Sequence, residues 1–258
     1  MSNYNSFVRL HQADQPLVLG NAWDVNSARV MAKSGYNALG TSSAAVAHTL
    51  GYQDGEQVSF EELLFIVERI AANVDLPLTV DIEGGFGRDP DQIVKNIEKL
   101  HRLGIIGVNL EDSVVTSERN ILPTDEFAQV VKTISSQLKS QGIEIFLNIR
   151  TDTFLLPVPT PLEETLARIS AYEESGADGI FVPCMVKEED INRVTNATKL
   201  PINVMCMPGL PSFDKLQALG VRRISMGNAL HLQVTRSMKS FCQAILEDQS
   251  FHSLFPAS

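Results

Sequence analysis

Cysteine is scarce in this chain of 258 residues: Cys184, Cys206 and Cys242 stand far apart and form no C-x-x-C pair. Their spacing suggests neither a disulfide framework nor a zinc site, and leaves reduced, buried thiols as the expectation. Basic charge is also in short supply, with 21 Lys and Arg against 31 Asp and Glu, a net charge of −10. That balance argues against a phosphate-backbone surface, and so against nucleic acid as a partner. It leaves small anions open, because a local arginine and a cation can set the field inside a pocket. No apolar run approaches the roughly 18 residues of a membrane span, and the polar N-terminus lacks the apolar core of a signal peptide. A cytoplasmic protein without a membrane partner is expected. No proline- or serine-rich linker divides the chain, so residues 1–258 are read as one domain.

What is present is an alternation. An amphipathic stretch, a glycine and a short apolar run recur at Gly35, Gly104, Gly176 and Gly220. Glycine after a helix supplies the left-handed cap, and an apolar run directly behind it reads as a buried parallel strand. Strands are predicted over 16–20, 38–40, 78–80, 106–110, 144–149, 179–182, 201–205 and 223–226. Helical periodicity covers 60–72, 90–103, 124–139, 162–174 and 188–195. Ser59, and Thr124 with Asp125, are the expected helix caps. Eight strands, each followed by a helix or a long loop, predict an α/β fold of the (β/α)8 TIM-barrel type, which needs roughly 250 residues.

In such a barrel the C-terminal strand ends carry the chemistry. Residues 80–87 read Val-Asp-Ile-Glu-Gly-Gly-Phe-Gly, placing Asp81 and Glu83 one residue apart at a strand end. A lone D-x-E is also what a solvated turn carries. Here, however, Asp24, Glu111, Asp112, Arg150 and Asp152 end other strands in the same way. Like charges held this close call for a cation, and hard carboxylate oxygens suit Mg²⁺ or Mn²⁺.

Six blocks then stand in a specific order: Asn21-Ala22-Trp23-Asp24, Gly40-Thr41-Ser42-Ser43-Ala44, Leu50-Gly51-Tyr52-Gln53-Asp54-Gly55, residues 80–87, Asn109-Leu110-Glu111-Asp112 and Asn148-Ile149-Arg150-Thr151. Across nearly its whole length the chain resembles the isocitrate lyase/phosphoenolpyruvate mutase superfamily. Smaller members of that superfamily include phosphoenolpyruvate mutase, phosphonopyruvate hydrolase, oxaloacetate decarboxylase and 2-methylisocitrate lyase. The resemblance implies Asp81 as the direct Mg²⁺ ligand, with Asp54, Glu83 and Glu111 holding metal-bound waters. It implies Ser42, Ser43 and Ala44 as donors to the carboxylate and oxo group of a small anionic 2-oxoacid. Arg150 would pair with the anionic group at the reacting end, making Arg150 and Glu111 the catalytic candidates.

One segment departs from the family. Lyases carry a Lys-Lys-Cys-Gly-His or Lys-Arg-Cys-Gly-His loop after the fourth strand, and the mutase and phosphonopyruvate hydrolase carry a lysine and an asparagine there. Residues 113–123 read Ser-Val-Val-Thr-Ser-Glu-Arg-Asn-Ile-Leu-Pro, without cysteine, histidine or lysine. Glu118 and Arg119 are its only titratable side chains, and both also fit solvated loop charges. This argues against an isocitrate-type lyase and favours a Mg²⁺-dependent lyase or decarboxylase that works through a pyruvate-enolate-like species. The alternatives are a phosphonopyruvate-type C–P hydrolase or mutase, or a catalytically degenerate dicarboxylate-binding protein. Cys184 reads as a packed thiol, and His48 and His101 as structural residues without partners.

The C-terminal segment 228–258 reads as a helix, over 228–246, and a tail. Leu230, Val234, Met238, Phe241, Cys242 and Ile245 form an apolar stripe along it. In the resembling family the eighth helix is exchanged between subunits, which implies a homo-oligomer, a tetramer.

Overall fold

The structure, a computed structural model, describes residues 3–255; residues 1–2 and 256–258 of the one-domain span lie outside them. In chain order it runs α1 (Asn3–Leu10), β1 (Leu17–Ala22), α2 (Val25–Lys33), β2 (Leu39–Thr41), α3 (Ser43–Leu50), α4 (Phe60–Ala71), β3 (Leu78–Asp81) and α5 (Pro90–Arg102). It continues through β4 (Gly107–Glu111), β5 (Ser113–Val115), β6 (Arg119–Ile121), α6 (Thr124–Ser140), β7 (Phe146–Arg150), α7 (Pro161–Glu174) and β8 (Gly179–Phe181). The last elements are α8 (Glu188–Asn196), β9 (Ile202–Met205), α9 (Phe213–Ala218), β10 (Arg223–Ser225) and α10 (Ala229–Asp248).

Strands β1, β2, β3, β4, β7, β8, β9 and β10 pair in that order and close on themselves as a parallel barrel. This is the predicted (β/α)8 fold, with every predicted strand within two residues of its place. The four glycines of the recurring pattern all take positive φ, from 83° at Gly104 to 94° at Gly176, so each turns the chain from helix to strand. Ser59 caps α4 as expected, in a reciprocal pair with Glu62. The predicted cap at Thr124 is corrected: Thr124 is already helical, and Pro123 occupies the cap position without a side-chain bond.

Between strands and helices lies the main apolar layer, including Val67, Ile70, Ile97, Val131, Ile169 and Val204. At the N-terminal end of the barrel, α1 pushes Phe7 against Leu17, Leu19, Ala38, Ile106 and Phe146 and closes that mouth. The middle of the barrel is polar. Asn148 donates to Asn109 (2.9 Å) and Asn203 (3.2 Å), and Asn203 donates to Ser225 (3.1 Å). The C-terminal mouth remains open above this layer.

Helix α10 does not cover the barrel that precedes it. Among its residues only His231 is buried, and Val234, Met238 and Phe241 are 48%, 60% and 48% exposed. The expectation of buried thiols fails for the same reason: Cys206 and Cys242 are exposed, one beside this helix and one on it. His48 was expected to lack a partner. In the fold its ring lies 2.8 Å from that of His231, which tethers α3 to the start of α10.

Candidate active site

Three features of local backbone build the open mouth. The first is helix α3, whose N-cap Ser42 accepts a hydrogen bond from the Ala45 N–H. The first N–H groups of a helix have no partner within it, so Ser43 and Ala44 bring free donors to the cavity they line. The second is the turn after β3. Glu83 sits at φ 47°, in the left-handed region, and its buried carboxylate accepts from the Glu56 N–H at 2.6 Å. Non-glycine residues held there cost of order 1–3 kcal/mol and persist where the surroundings fix them. The third is the loop carrying Asp54, stitched to that turn by Glu56, which accepts from the Phe86 N–H and pairs with Arg88 at 2.7 Å.

A cavity of about 210 Å³ opens between these features, lined by Ser42, Ser43, Ala44, Asp54, Asp81 and Arg150 among others. Six of the eight predicted site residues therefore share one wall. Glu83 and Glu111 are buried outside that lining. Sequence reading missed several other lining residues, notably Leu155, Phe181, Met205 and Asn228. Leu155 and Met205 carry no chemical signature, and only barrel closure brings them to the carboxylates.

The electrostatics divide the acids into two groups. Asp81 accepts from the Ser43 hydroxyl at 3.0 Å and has no guanidinium in contact. Burial, more than any neighbour, pushes its carboxyl up. Burial, followed by repulsion from Asp54, Asp81 and Glu111, raises Glu83 to about 8. Arg150 acts on Asp81 from a distance, but neither acid has a cation in contact, and buried acids that repel each other in this way favour a bound cation. Glu111 differs. Burial raises it too, but Arg150 at 2.9 Å and Arg119 both contact it.

Arg150 is the centre of that second group. Its Nε donates to Asp152 at 2.6 Å and its Nη1 pairs with Glu111. Burial works against its charge, but Glu111, Asp152 and Asp81 outweigh this and keep it a cation. The structural ion pair with Asp152 and the place in the cavity wall therefore coexist. A guanidinium has five N–H donors, so these bonds leave some for a ligand. Asp112, one of the strand-end acids, is removed from the rim. It is fully buried, pairs with Arg168 at 3.0 Å and accepts from the Tyr172 hydroxyl at 2.8 Å.

The segment that departs from the family is a hairpin, with Val115 opposite Arg119 in antiparallel register. Glu118 is exposed, as a solvated charge should be. Arg119 is not: its side chain is 16% exposed, contacts Glu111, and lies 3.1 Å from Asp54 and 3.5 Å from Asp152. Cys184 takes φ 64° after Pro183, and burial raises its thiol, in keeping with a packed rather than reactive group.

Comparison with known proteins shows the family. A profile of the phosphoenolpyruvate phosphomutase family matches residues 7–246. The chain belongs to this family, within the phosphoenolpyruvate mutase/isocitrate lyase superfamily. A Mycobacterium tuberculosis protein described as uncharacterized is 34% identical over 223 residues, covering 86% of this chain and 82% of that one. The oxaloacetate decarboxylase of Paraburkholderia xenovorans is 28% identical over 233 residues, covering 87% and 75%. Among solved structures, a candidate phosphonomutase from Burkholderia cenocepacia J2315 superposes with a TM-score of 0.88 at 38% identity, covering 93% of this chain and 99% of that one. The proteins it is similar to thus carry both mutase and decarboxylase names.

The donor set fits the divalent cation that the resemblance implies. Asp81, Glu83 and Asp54 are oxygen donors suited to Mg²⁺ or Mn²⁺, and the first two lack a cationic neighbour in contact. Among the described residues, no three His, Cys, Asp or Glu side chains converge as a ready-made ligand cage.

Proposed function

We propose that the protein is a Mg²⁺-dependent lyase or decarboxylase acting on a small 2-oxo or 2-hydroxy dicarboxylic acid. The observation that carries this reading is the single cavity wall that joins the α3 N-terminus, the unpaired carboxylate of Asp81 and the guanidinium of Arg150. The Ser43 and Ala44 N–H groups, with the Ser42 hydroxyl, hold the substrate's 1-carboxylate and 2-oxo group. Arg150 holds the anionic group attached to C3. When bound, the cation supplies positive charge that stabilises a developing enolate oxygen.

For a 3-carboxylated 2-oxoacid, the bond from C3 to its carboxylate breaks and its electron pair moves into the enolate, releasing CO₂. Protonation of C3 from solvent then gives the 2-oxoacid product. No base is needed to start this step, which suits a hairpin whose side chains include no Lys, Cys or His. The oriented N–H donors act on the negative charge as it grows on the 2-oxo oxygen. A second reading, cleavage of a C–P bond, draws support from the 38% identical candidate phosphonomutase. A panel of oxaloacetate, phosphonopyruvate and 2-methylisocitrate, assayed for pyruvate, phosphate and phosphoenolpyruvate with and without Mg²⁺, tests both. Pyruvate from oxaloacetate supports decarboxylation and pyruvate from 2-methylisocitrate supports retro-aldol cleavage. Phosphate or phosphoenolpyruvate from phosphonopyruvate supports C–P chemistry, and no product with measurable ligand binding supports the degenerate binding protein.

We also infer that α10 is completed by a second copy of the chain. An apolar groove of about 490 Å³ beside it is lined by Val18, Tyr36, Met207, Leu210 and Phe213 among others, while the apolar stripe of α10 stays exposed. One chain thus presents both an uncovered groove and an unpartnered helix face, and exchange between copies covers both. Light scattering should give the mass of a homo-oligomer, expected as a tetramer. A monomeric mass at micromolar concentration would overturn this inference.

A further inference from the structure

Arg119 is a charged feature of the open mouth that neither the resemblance nor the proposed chemistry assigns. It projects from β6 of the hairpin and reaches carboxylates from three separate segments: Asp54, Glu111 and Asp152. The hairpin also docks by shape. A Cβ on Gly55 would lie 3.0 Å from Val115, so the Asp54–Gly55 backbone and the hairpin are in close contact. At its base the hairpin is pinned by the Leu122 N–H, which donates to the Asp112 carbonyl. Its tip residues Thr116, Ser117 and Glu118 are exposed. Near the rim, Arg119 is therefore the charged connection that holds this hairpin down.

Two of its three partners, Asp54 and Glu111, are among the three acids assigned to water-linked contact with the cation. A guanidinium and a divalent cation cannot both draw fully on the same oxygens, and placing them a few ångströms apart costs repulsion. We propose that Arg119 is a built-in competitor of the divalent cation, holding Asp54 and Glu111 while the cation is absent and yielding them as it enters, so that the 113–121 hairpin is released from the rim. Arg119 is on this account a positioning residue that sets cation affinity. The inference rests on the cation site proposed above.

The test is calorimetric titration of the full chain with Mn²⁺ alone, wild type against Arg119→Gln and Arg119→Lys, with hydrogen exchange of the hairpin amides in the wild type. Competition predicts at least fivefold tighter Mn²⁺ binding in Arg119→Gln, with Arg119→Lys in between. It also predicts faster exchange over 113–121 in the wild type once Mn²⁺ is added. Equal or weaker binding in Arg119→Gln overturns the inference and leaves the cation site intact, as does exchange that is unchanged or slower with Mn²⁺. A wild type that binds no Mn²⁺ overturns the cation site and the competition together. If Arg119→Gln fails to fold, the wild-type exchange measurement and Arg119→Lys decide the matter.

Discussion

The two mouths of the barrel face opposite physical problems. At the N-terminal mouth, α1 lays Phe7 edge-on to Phe146, with ring centroids 5.5 Å apart, and stacks His11 on the same ring at 4.6 Å. The contacts there serve packing, although the His11 Nε2 is buried without a hydrogen-bond partner. At the C-terminal mouth, acids are buried beside acids, Glu83 is held in a left-handed conformation, and helix N–H groups are left without partners. Each of those features costs stability and creates a place for a ligand. The comparison teaches that stability and chemistry are kept apart along the barrel axis, with the Asn109–Asn148–Asn203 layer between them.

That separation can be broken first at the open mouth. Asp81→Ala is expected to abolish Mn²⁺ binding, read by calorimetry, because it removes the direct ligand. Asp81→Asn should also abolish it while leaving the metal-free melting temperature unchanged or higher, since one repelling charge is gone. A lower melting temperature in Asp81→Asn would show that the acid cluster contributes to stability and would blur the contrast.

Next in size is Arg150→Ala. Oxalate, a planar mimic of a pyruvate enolate, should bind the Mn²⁺-loaded protein, and the substitution should weaken it by roughly 3–5 kcal/mol, because a desolvated anion loses its partner. Unchanged oxalate affinity would place the anion elsewhere.

The closed mouth should answer in the opposite sense. Phe7 is fully buried, and Phe7→Ala should destabilise the fold by roughly 3 kcal/mol or more through lost burial and the cavity left behind. Mn²⁺ affinity of the folded fraction should not change. Urea unfolding followed by titration checks both halves of the statement.

The smallest effect concerns pH. His11 donates from Nδ1 to the Phe7 carbonyl at 3.0 Å, and burial, aided by nearby Arg223, lowers its pKa to about 3. A histidine with a depressed folded pKa contributes stability above its unfolded value near 6.5, and that contribution is lost as pH falls towards the folded value. Between pH 6.5 and 5 the loss is about 2 kcal/mol by linkage. His11→Phe should flatten this part of the stability profile measured by urea midpoints. An equally steep profile in the variant would assign acid sensitivity to other groups.

Much of this was legible in the chain because it rests on local rules. Glycine at the four helix-to-strand turns marked the βα repeat, since only a residue without Cβ takes that backbone freely. The short apolar runs marked strands buried on both faces. Asp54, Asp81, Ser42, Ser43, Ala44 and Arg150 were named from the resemblance carried by the six ordered blocks, and only Asp81 and Arg150 of these are acids or bases that also end predicted strands.

What sequence order could not decide is which charges neutralise which. Asp112 and Glu111 are neighbours in the chain, yet one is tied to Arg168 and Tyr172 in the outer layer and the other to Arg150 and Arg119 at the mouth, because alternate strand residues face opposite sides. Arg119 reads in the sequence as an ordinary loop charge. Folding of 113–121 into a hairpin, and its docking on Gly55, put that guanidinium among three carboxylates. Helix α10 follows the same logic: its apolar stripe was visible from residue spacing, but only the tertiary structure shows that its own barrel leaves the stripe uncovered. Periodicity and turn chemistry are properties of neighbours in sequence, whereas charge pairing and coverage depend on distances that exist only once the barrel has closed.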